Sequence, residues 1–225
     1  MEISAVAHIE NAYTSKFGVP RQSGLVEELI SRVVFEPEYR AAEALRGIDS
    51  FSHLWLIWGF HEAKRDGWSP TVRPPRLGGN TRIGVFATRS PYRPNGLGLS
   101  CVRLTGTEKT ERGMTLLVAG ADLMNGTPIY DVKPYLPYAD SHPEASGGFA
   151  AEREKRRVRV EIPEPEAEKM LAEDLAALRG VLAEDPRPAY QEDPERIYAF
   201  EFADRTVRFR VRGDLLTVLT IENRT

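Results

Sequence analysis

Along the first 150 residues the apolar positions fall in short runs bounded by glycine, proline, asparagine and aspartate, a spacing that suits β-strands better than long helices. The runs are HLWLIWGF (53–60), TRIGVFAT (81–88), GLSCVRLTGTEK (98–109) and GMTLLVAG (113–120), the last two flanking the turn TERG, and then IYDVKPYL (129–136) after the turn MNGTP. Only LVEELISRV (25–33) and EYRAAEALRG (38–47), the latter closed by Gly47, carry helical spacing. Strands at this density without alternating helices predict a mainly β fold, a barrel or a sandwich.

The pattern changes after residue 143. PEASGGFAAEREKRR (143–157) is polar, charged and glycine-bearing and reads as a linker. A short strand in RVRVEI (157–162) precedes a predicted helix over 164–182, whose stripe is Ala167, Met170, Leu171, Leu175, Leu178 and Leu182, with acids in its first turn. DPRPAY (185–190) is a proline-stiffened turn, and IYAFEF, TVRFRV and LLTVLTI are three strands joined by tight loops at ADR and RGD. The expected organisation is a β domain over 1–150 and a small α+β domain over 151–225.

Composition narrows the class of protein. With 41% hydrophobic and 28% charged residues the chain reads as globular, it has no apolar stretch of membrane-spanning length, and its start lacks a basic-then-apolar leader, so the cytoplasm is the expected compartment. Cys101 is the sole cysteine, which excludes an intrachain disulfide and reads as a small buried strand residue. The net charge of −3 conceals a local excess: Lys64 to Arg93 holds seven basic residues against one acid, Asp66. Such a stretch suits a phosphate-bearing partner, or else is a solvated face balanced by acids elsewhere.

Several common chemistries do not fit. Gly96-Leu97-Gly98 leads into strand-like residues instead of a helix, so no dinucleotide fingerprint is present, and there is no phosphate-binding P-loop or nucleophile elbow. His8, His53, His61 and His142 are scattered, with His53 and His61 about 26 Å apart if joined by strand, so no metal site is expected. Four stretches remain. In DVKPY, Asp131, Lys133 and Tyr135 alternate and share one face of an extended strand, where they either orient a polar substrate and accept a proton or form an exposed salt-bridged surface. FGVPRQ offers the planar hydrogen-bonding groups of Arg21 and Gln22 behind Pro20, suited to a carboxylate or a base edge, or it is a plain surface turn. PTVRPPRLGGN stiffens the backbone around Arg73 and Arg76, and TRSPYRPNGLG gathers Arg89 and Arg93 with prolines and glycines.

In order, FGVPRQ, FSHLW, the block GWSPTVRPPRLGGNTRIGVFATRSPYRPNGLGLS, NGTPIYDVKPYLPYADS and DPRPAY resemble the TrmO (YaeB/TsaA-like) family of tRNA methyltransferases over nearly the whole chain. The resemblance implies methyl transfer from S-adenosylmethionine to N6 of threonylcarbamoyl-modified adenosine, 3′-adjacent to the anticodon of a threonine tRNA. It also implies a single-sheeted β-barrel that binds the donor, a small C-terminal α+β domain, and a homodimer with the donor site near the subunit interface. By motif, the donor site implied is Pro20, Arg21, Gln22, His61, Glu62, Arg89, Leu99 and the turn Asn125, Gly126, Thr127, Pro128. The acceptor side implied is Arg93, Asn95, Asp131, Lys133 and Tyr135, with Asp131 as proton acceptor, Gly96 and Gly98 admitting a ligand close to the backbone, and Arg73 and Arg76 following the anticodon stem-loop. The chain departs from the family pattern at Glu10-Asn11-Ala12-Tyr13, where RSPY is usual, at RPNGLG for RPNPIG, and at Asn125 for aspartate. The departures at Glu10 and Asn125 keep open a non-catalytic module binding S-adenosylmethionine or RNA; a further alternative is a methyltransferase acting on another RNA or a small molecule, of which the basic stretch favours RNA.

Overall fold

Alternation of inward and outward side chains along each strand builds the first unit. The computed structural model describes residues 2–63, 67–74, 77, 80–151, 157–187 and 193–224. Strands β1 (Ala7–Glu10), β2 (Ile30–Phe35) and β3 (His53–Gly59) are followed by the short ribbon β4 (Thr71–Val72) and β5 (Ile83–Gly84), then β6 (Leu97–Thr110), β7 (Gly113–Ala119) and β8 (Pro128–Pro134). Six of them hydrogen-bond in the order β1-β2-β7-β6-β3-β8, and β8 pairs back onto β1 through Ala7 opposite Ile129, so the sheet closes into a barrel. In β3, Leu54, Leu56 and Trp58 point into the core while Trp55 and Ile57 face outward. Closure leaves this sheet no unpaired edge.

The second unit is a four-stranded sheet, β10-β11-β12-β9, with β9 (Arg159–Glu161) parallel to its neighbour and β10 (Tyr198–Phe202), β11 (Arg205–Arg212) and β12 (Leu215–Asn223) antiparallel. The tight loops place Ala203 (φ 51°) and Gly213 (φ 60°) in the left-handed region that two-residue hairpins require. The chain also forms one turn of helix in α1 (Pro137–Asp140), another in α2 (Glu164–Ala167), and the longer α3 (Ala172–Ala183). The core of this unit also takes in residues from the β1–β2 connection: Tyr13, Val26 and Leu29 are buried within it, and Phe17 stacks on Phe209 at 6.4 Å.

Four local expectations are overturned. Residues 25–33 are not helical: Ile30 to Phe35 form β2, because pairing with β1 and β7 outweighs a weak local helix preference. Residues 38–47 yield two separate single turns, Pro37–Tyr39 and Ala42–Leu45, with no fully buried residue; Tyr39 and Leu45 pack only partly against the barrel core, too little to offset helix nucleation. In TRIGVFAT only Ile83 and Gly84 are extended, and the tight turn Val85–Ala87 buries Val85 while leaving Phe86 outside. The helix of 164–182 is interrupted at 168–171: Leu171 is the extended N-cap of α3 and is exposed, so the stripe is not continuous.

Candidate functional site

Antiparallel closure collects the sequence motifs at one rim. The ends of β1, β3 and β7 and the starts of β2, β6 and β8 lie at the same end of the barrel, as the pairs Glu10–Arg32, Ile30–Ala119, Gly59–Leu97 and His8–Pro128 record. Pro20, Arg21 and Gln22 lie in the β1–β2 connection, His61, Glu62, Arg73, Arg89, Arg93 and Asn95 in the β3–β6 connection, and Asn125, Gly126 and Thr127 in the β7–β8 connection. Arg76, with Lys64 and Arg65 of the basic stretch, lies outside the described residues.

The first connection is joined to the other two by hydrogen bonds. Arg89 Nη1 donates to Gln22 Oε1, and Lys16 Nζ donates to the carbonyl of Glu62. From the opposite side the second unit holds the same loop: Arg21 Nη2 donates to the Arg187 carbonyl at 3.2 Å, and Arg187 makes a bidentate ion pair with Asp185 at 2.8 Å. Gly18 adopts φ 100°, and a β-carbon there would lie 2.7 Å from the Phe200 ring. Pro20 is buried and Arg21 exposed, so the loop turns its charged end outward.

The NGTP turn is anchored through its backbone. Gly126 donates to the Ile9 carbonyl (2.8 Å) and Asn125 to the Tyr13 carbonyl (2.8 Å), while Asn125 Oδ1 accepts the Asn11 amide (3.0 Å). The buried Thr127 donates its hydroxyl to the Met124 carbonyl at 2.7 Å, and Pro128 opens β8. Two of the three departures from the family pattern therefore meet: Asn11 reaches Asn125, Ser31 and the Leu123 carbonyl, and Glu10 forms a bidentate pair with Arg112 at 2.6 and 2.8 Å. The Arg112 guanidinium holds the Glu10 carboxyl below its usual range.

Asp131, Lys133 and Tyr135 do share one face. It is the outer wall of the barrel, where Asp131 sits opposite Ile57 and Lys133 opposite Trp55. Lys133 Nζ lies 2.9 Å from Asp131 Oδ2, and the Tyr135 ring packs 5.7 Å from Trp55 and 6.1 Å from His53. Leu99 continues this wall opposite Ile57 and is 55% exposed. Cys101 is on the same wall, opposite Trp55, and only half-buried, contrary to the buried strand residue expected.

One role expected in the arginine loop is corrected. Gly98 faces the Trp58 indole and not a ligand, since a β-carbon there would lie 2.6 Å from Trp58 Cδ2 and closer still to Cε2 and Cζ2. Gly96 serves a turn at φ 53°. Arg93 donates Nη1 to the Thr88 carbonyl at 2.6 Å and lies over the Phe86 ring at 5.7 Å, contacts that fix its guanidinium against its own loop.

Sequence reasoning missed a buried polar chain beneath the rim. Trp58 Nε1 donates to Ser100 Oγ at 2.9 Å, and the Ser100 hydroxyl donates to Asp122 Oδ1. Burial pushes the Asp122 carboxyl up, against the pull of the Ser100 hydroxyl, its own and the Ser23 amides, and the Arg89 charge. Asp122 thus accepts the Ser23 amide, directly after FGVPRQ, and feels the charge of Arg89. Its one sequence signal is an acid between apolar residues in GADLM, directly ahead of the NGTP turn.

Fold and site together define a β-barrel protein with an arginine-bearing, loop-built rim and a backing α+β unit. The tRNA-methyltransferase O N-terminal domain family matches residues 8–141, and the TrmO C-terminal domain family matches residues 155–224. The chain belongs to the tRNA-methyltransferase O family. It is 41% identical to the tRNA (adenine(37)-N6)-methyltransferase of Escherichia coli over 99% of this chain and 98% of that one. A Pseudomonas aeruginosa protein provisionally named an S-adenosylmethionine-dependent methyltransferase is 40% identical over 97% and 96% of the two chains. A crystal structure of TrmO from Pseudomonas aeruginosa superposes with a TM-score of 0.80 at 34% identity, covering 99% of both chains.

Proposed function

We propose that this protein transfers a methyl group from S-adenosylmethionine to N6 of threonylcarbamoyladenosine, 3′-adjacent to the anticodon of a threonine tRNA. The observation that carries the reading is the convergence of three connections on one rim: Pro20, Arg21 and Gln22; His61, Glu62 and Arg89; and Asn125, Gly126, Thr127 and Pro128. The residues fit the donor. Exposed Arg89, oriented by Gln22, suits a carboxylate; Asp122 beneath it suits an ammonium; exposed Leu97 and Leu99 offer apolar cover to a purine. When bound, the donor supplies an electrophilic methyl on a sulfonium and needs no metal.

On this reading the chain's main task is alignment, which contributes about 7–11 kcal/mol of barrier lowering where reacting atoms are held in line. Asp131 accepts the proton that N6 sheds, and Lys133 and Tyr135, on the same outer wall, orient the carbamoyl and carboxylate of the modification. Arg93, held by the Thr88 carbonyl, and Asn95 face the modified nucleotide, and Arg73, exposed after β4, and Arg76 follow the stem-loop phosphates. Residues 1–150 form the methyltransferase barrel and 151–225 the backing unit. The apolar wall at Leu97, Leu99 and Ile57 suits a homodimer contact beside the donor site, and a tRNA acceptor places the protein in the cytoplasm.

Incubating the purified protein with S-adenosylmethionine and tRNA, with or without the threonylcarbamoyl modification, tests this. Nucleoside mass spectrometry should find one added methyl on the modified adenosine only. Donor binding by calorimetry with no methylation of either tRNA overturns the reading.

A further inference from the structure

Outside the rim residues already assigned, two large exposed aromatic rings lie side by side at the base of the β4–β5 ribbon. Trp68 is 55% exposed and Phe86 70% exposed, and their ring centroids are 6.4 Å apart at a 35° tilt. They flank one end of the ribbon, Trp68 ahead of β4 and Phe86 just after β5, with the Val85 amide bonded to the Pro70 carbonyl at 2.9 Å between them. Ser69 and Thr71 lock the approach to β4, since the Ser69 hydroxyl donates to the Thr71 carbonyl at 2.8 Å. Arg93 backs Phe86, and Arg82 Nη1 is tied to Thr71 Oγ1 at 2.9 Å. The rings are thus mounted on a braced scaffold, yet neither is covered.

Exposing two such rings forgoes the burial that ordinarily stabilises large aromatics, so their surroundings must say what covers them. The 41 residues from Gly67 to Thr107 contain Arg73, Arg76, Arg82, Arg89, Arg93 and Arg103 and no acid. A second copy of this chain docking here about a two-fold axis would set arginine against arginine, which disfavours a subunit contact. A polyanion with flat apolar faces suits both features. Unpaired nucleobases on a phosphate backbone are such a ligand, because every base has a face to stack and every phosphate a charge for arginine.

We infer that Trp68 and Phe86 form a stacking platform for an unpaired nucleobase of an RNA loop. The inference rests on the RNA reading above and adds a specific contact to it: the platform selects looped-out or single-stranded bases over duplex, independently of base identity. Arg82 and Arg73 neutralise the flanking phosphates, and Arg93 positions Phe86 from behind.

The test titrates the full chain, and its Trp68→Ala and Phe86→Ala variants, with an RNA hairpin carrying an unpaired loop and with a blunt duplex of the same stem. Loss of one stacked base should weaken hairpin affinity about five- to 150-fold and leave duplex affinity and the salt slope unchanged. Arg73→Ala should instead weaken both ligands and lower the salt slope by about one. Trp55 donates its indole N–H to Asp140 and Trp58 is buried, so hairpin-induced quenching of indole emission should reside in Trp68 and vanish in Trp68→Ala. Because both rings are exposed, the denaturation midpoints should not move, and sedimentation should show the same oligomeric state as the parent. Equal hairpin affinity of both variants overturns the platform while leaving the methylation reading standing. A changed oligomeric state at unchanged hairpin affinity makes the patch a subunit contact and overturns it too. A parent that binds neither RNA overturns platform and acceptor together.

Discussion

Replacing Gly98 with alanine tests whether the arginine loop is held by the barrel core or shaped around a ligand. A β-carbon at this position would fall within the Trp58 indole, 2.6 Å from Cδ2. The ring has little room to retreat: it is 7% exposed, meets Phe60 edge-on at 4.3 Å, and is fixed in rotation by its bond to Ser100. Overpacking a filled site costs about 1–3 kcal/mol. Turning the indole away would also break the Trp58–Ser100–Asp122 chain and leave a buried donor unpaired, about 1–3 kcal/mol more. Alanine recovers about 0.5–1 kcal/mol over glycine in a strand. The net expectation is a loss of about 3 kcal/mol, read as a lower urea midpoint at unchanged m. Because Ser100 bonds Asp122 beside Arg89, affinity for S-adenosylmethionine should fall with it. A midpoint within about 0.5 kcal/mol of the parent, the range of an ordinary surface change, would refute the packing argument.

Three further outcomes follow from the same geometry. Asp122 has a carboxyl pushed up by burial, so its favourable contribution is present below the ordinary value of 3.8 and is lost as pH rises through the elevated folded value; Asp122→Asn should therefore be more stable than the parent at neutral pH, with weaker donor binding, and equal pH–stability curves would contradict this. Glu10 behaves oppositely: held down by Arg112, it stabilises the fold above its ordinary value of 4.5, and that contribution disappears as pH falls through the lowered folded value. Arg112→Ala should accordingly flatten the acid limb of the midpoint-versus-pH curve, and superimposable acid limbs would count against the pair. Phe17→Ala removes the ring that packs on Phe200 and Phe209, and loosening a single residue of the FGVPRQ loop adds about 1–2 kcal/mol of ordering to donor binding, a five- to thirtyfold rise in Kd; calorimetry showing an unchanged Kd would detach the second unit from the donor loop.

The chain by itself determined the mainly β character, because short apolar runs such as HLWLIWGF, bounded by turn residues and lacking helical spacing, suit strands, and it marked the motif loops by their arginine, proline and glycine content; that Leu54, Leu56 and Trp58 face inward was decided by the barrel. It also made legible that Asp131, Lys133 and Tyr135 share a face, since that follows from strand geometry alone. It misread residues 25–33 because helical and strand spacing coincide over so few positions, and only pairing with β1 and β7 decides between them. Which motifs meet was a tertiary matter: closure through Ala7 and Ile129 brings three distant connections to one rim. Packing alone revealed that Gly98 makes room for Trp58 and that Phe17 lies on Phe209, because both depend on residues far apart in the chain. Asp122 stayed hidden for the same reason: its environment is supplied by Ser100, Ser23 and Arg89, and burial by distant segments leaves no local periodicity to read.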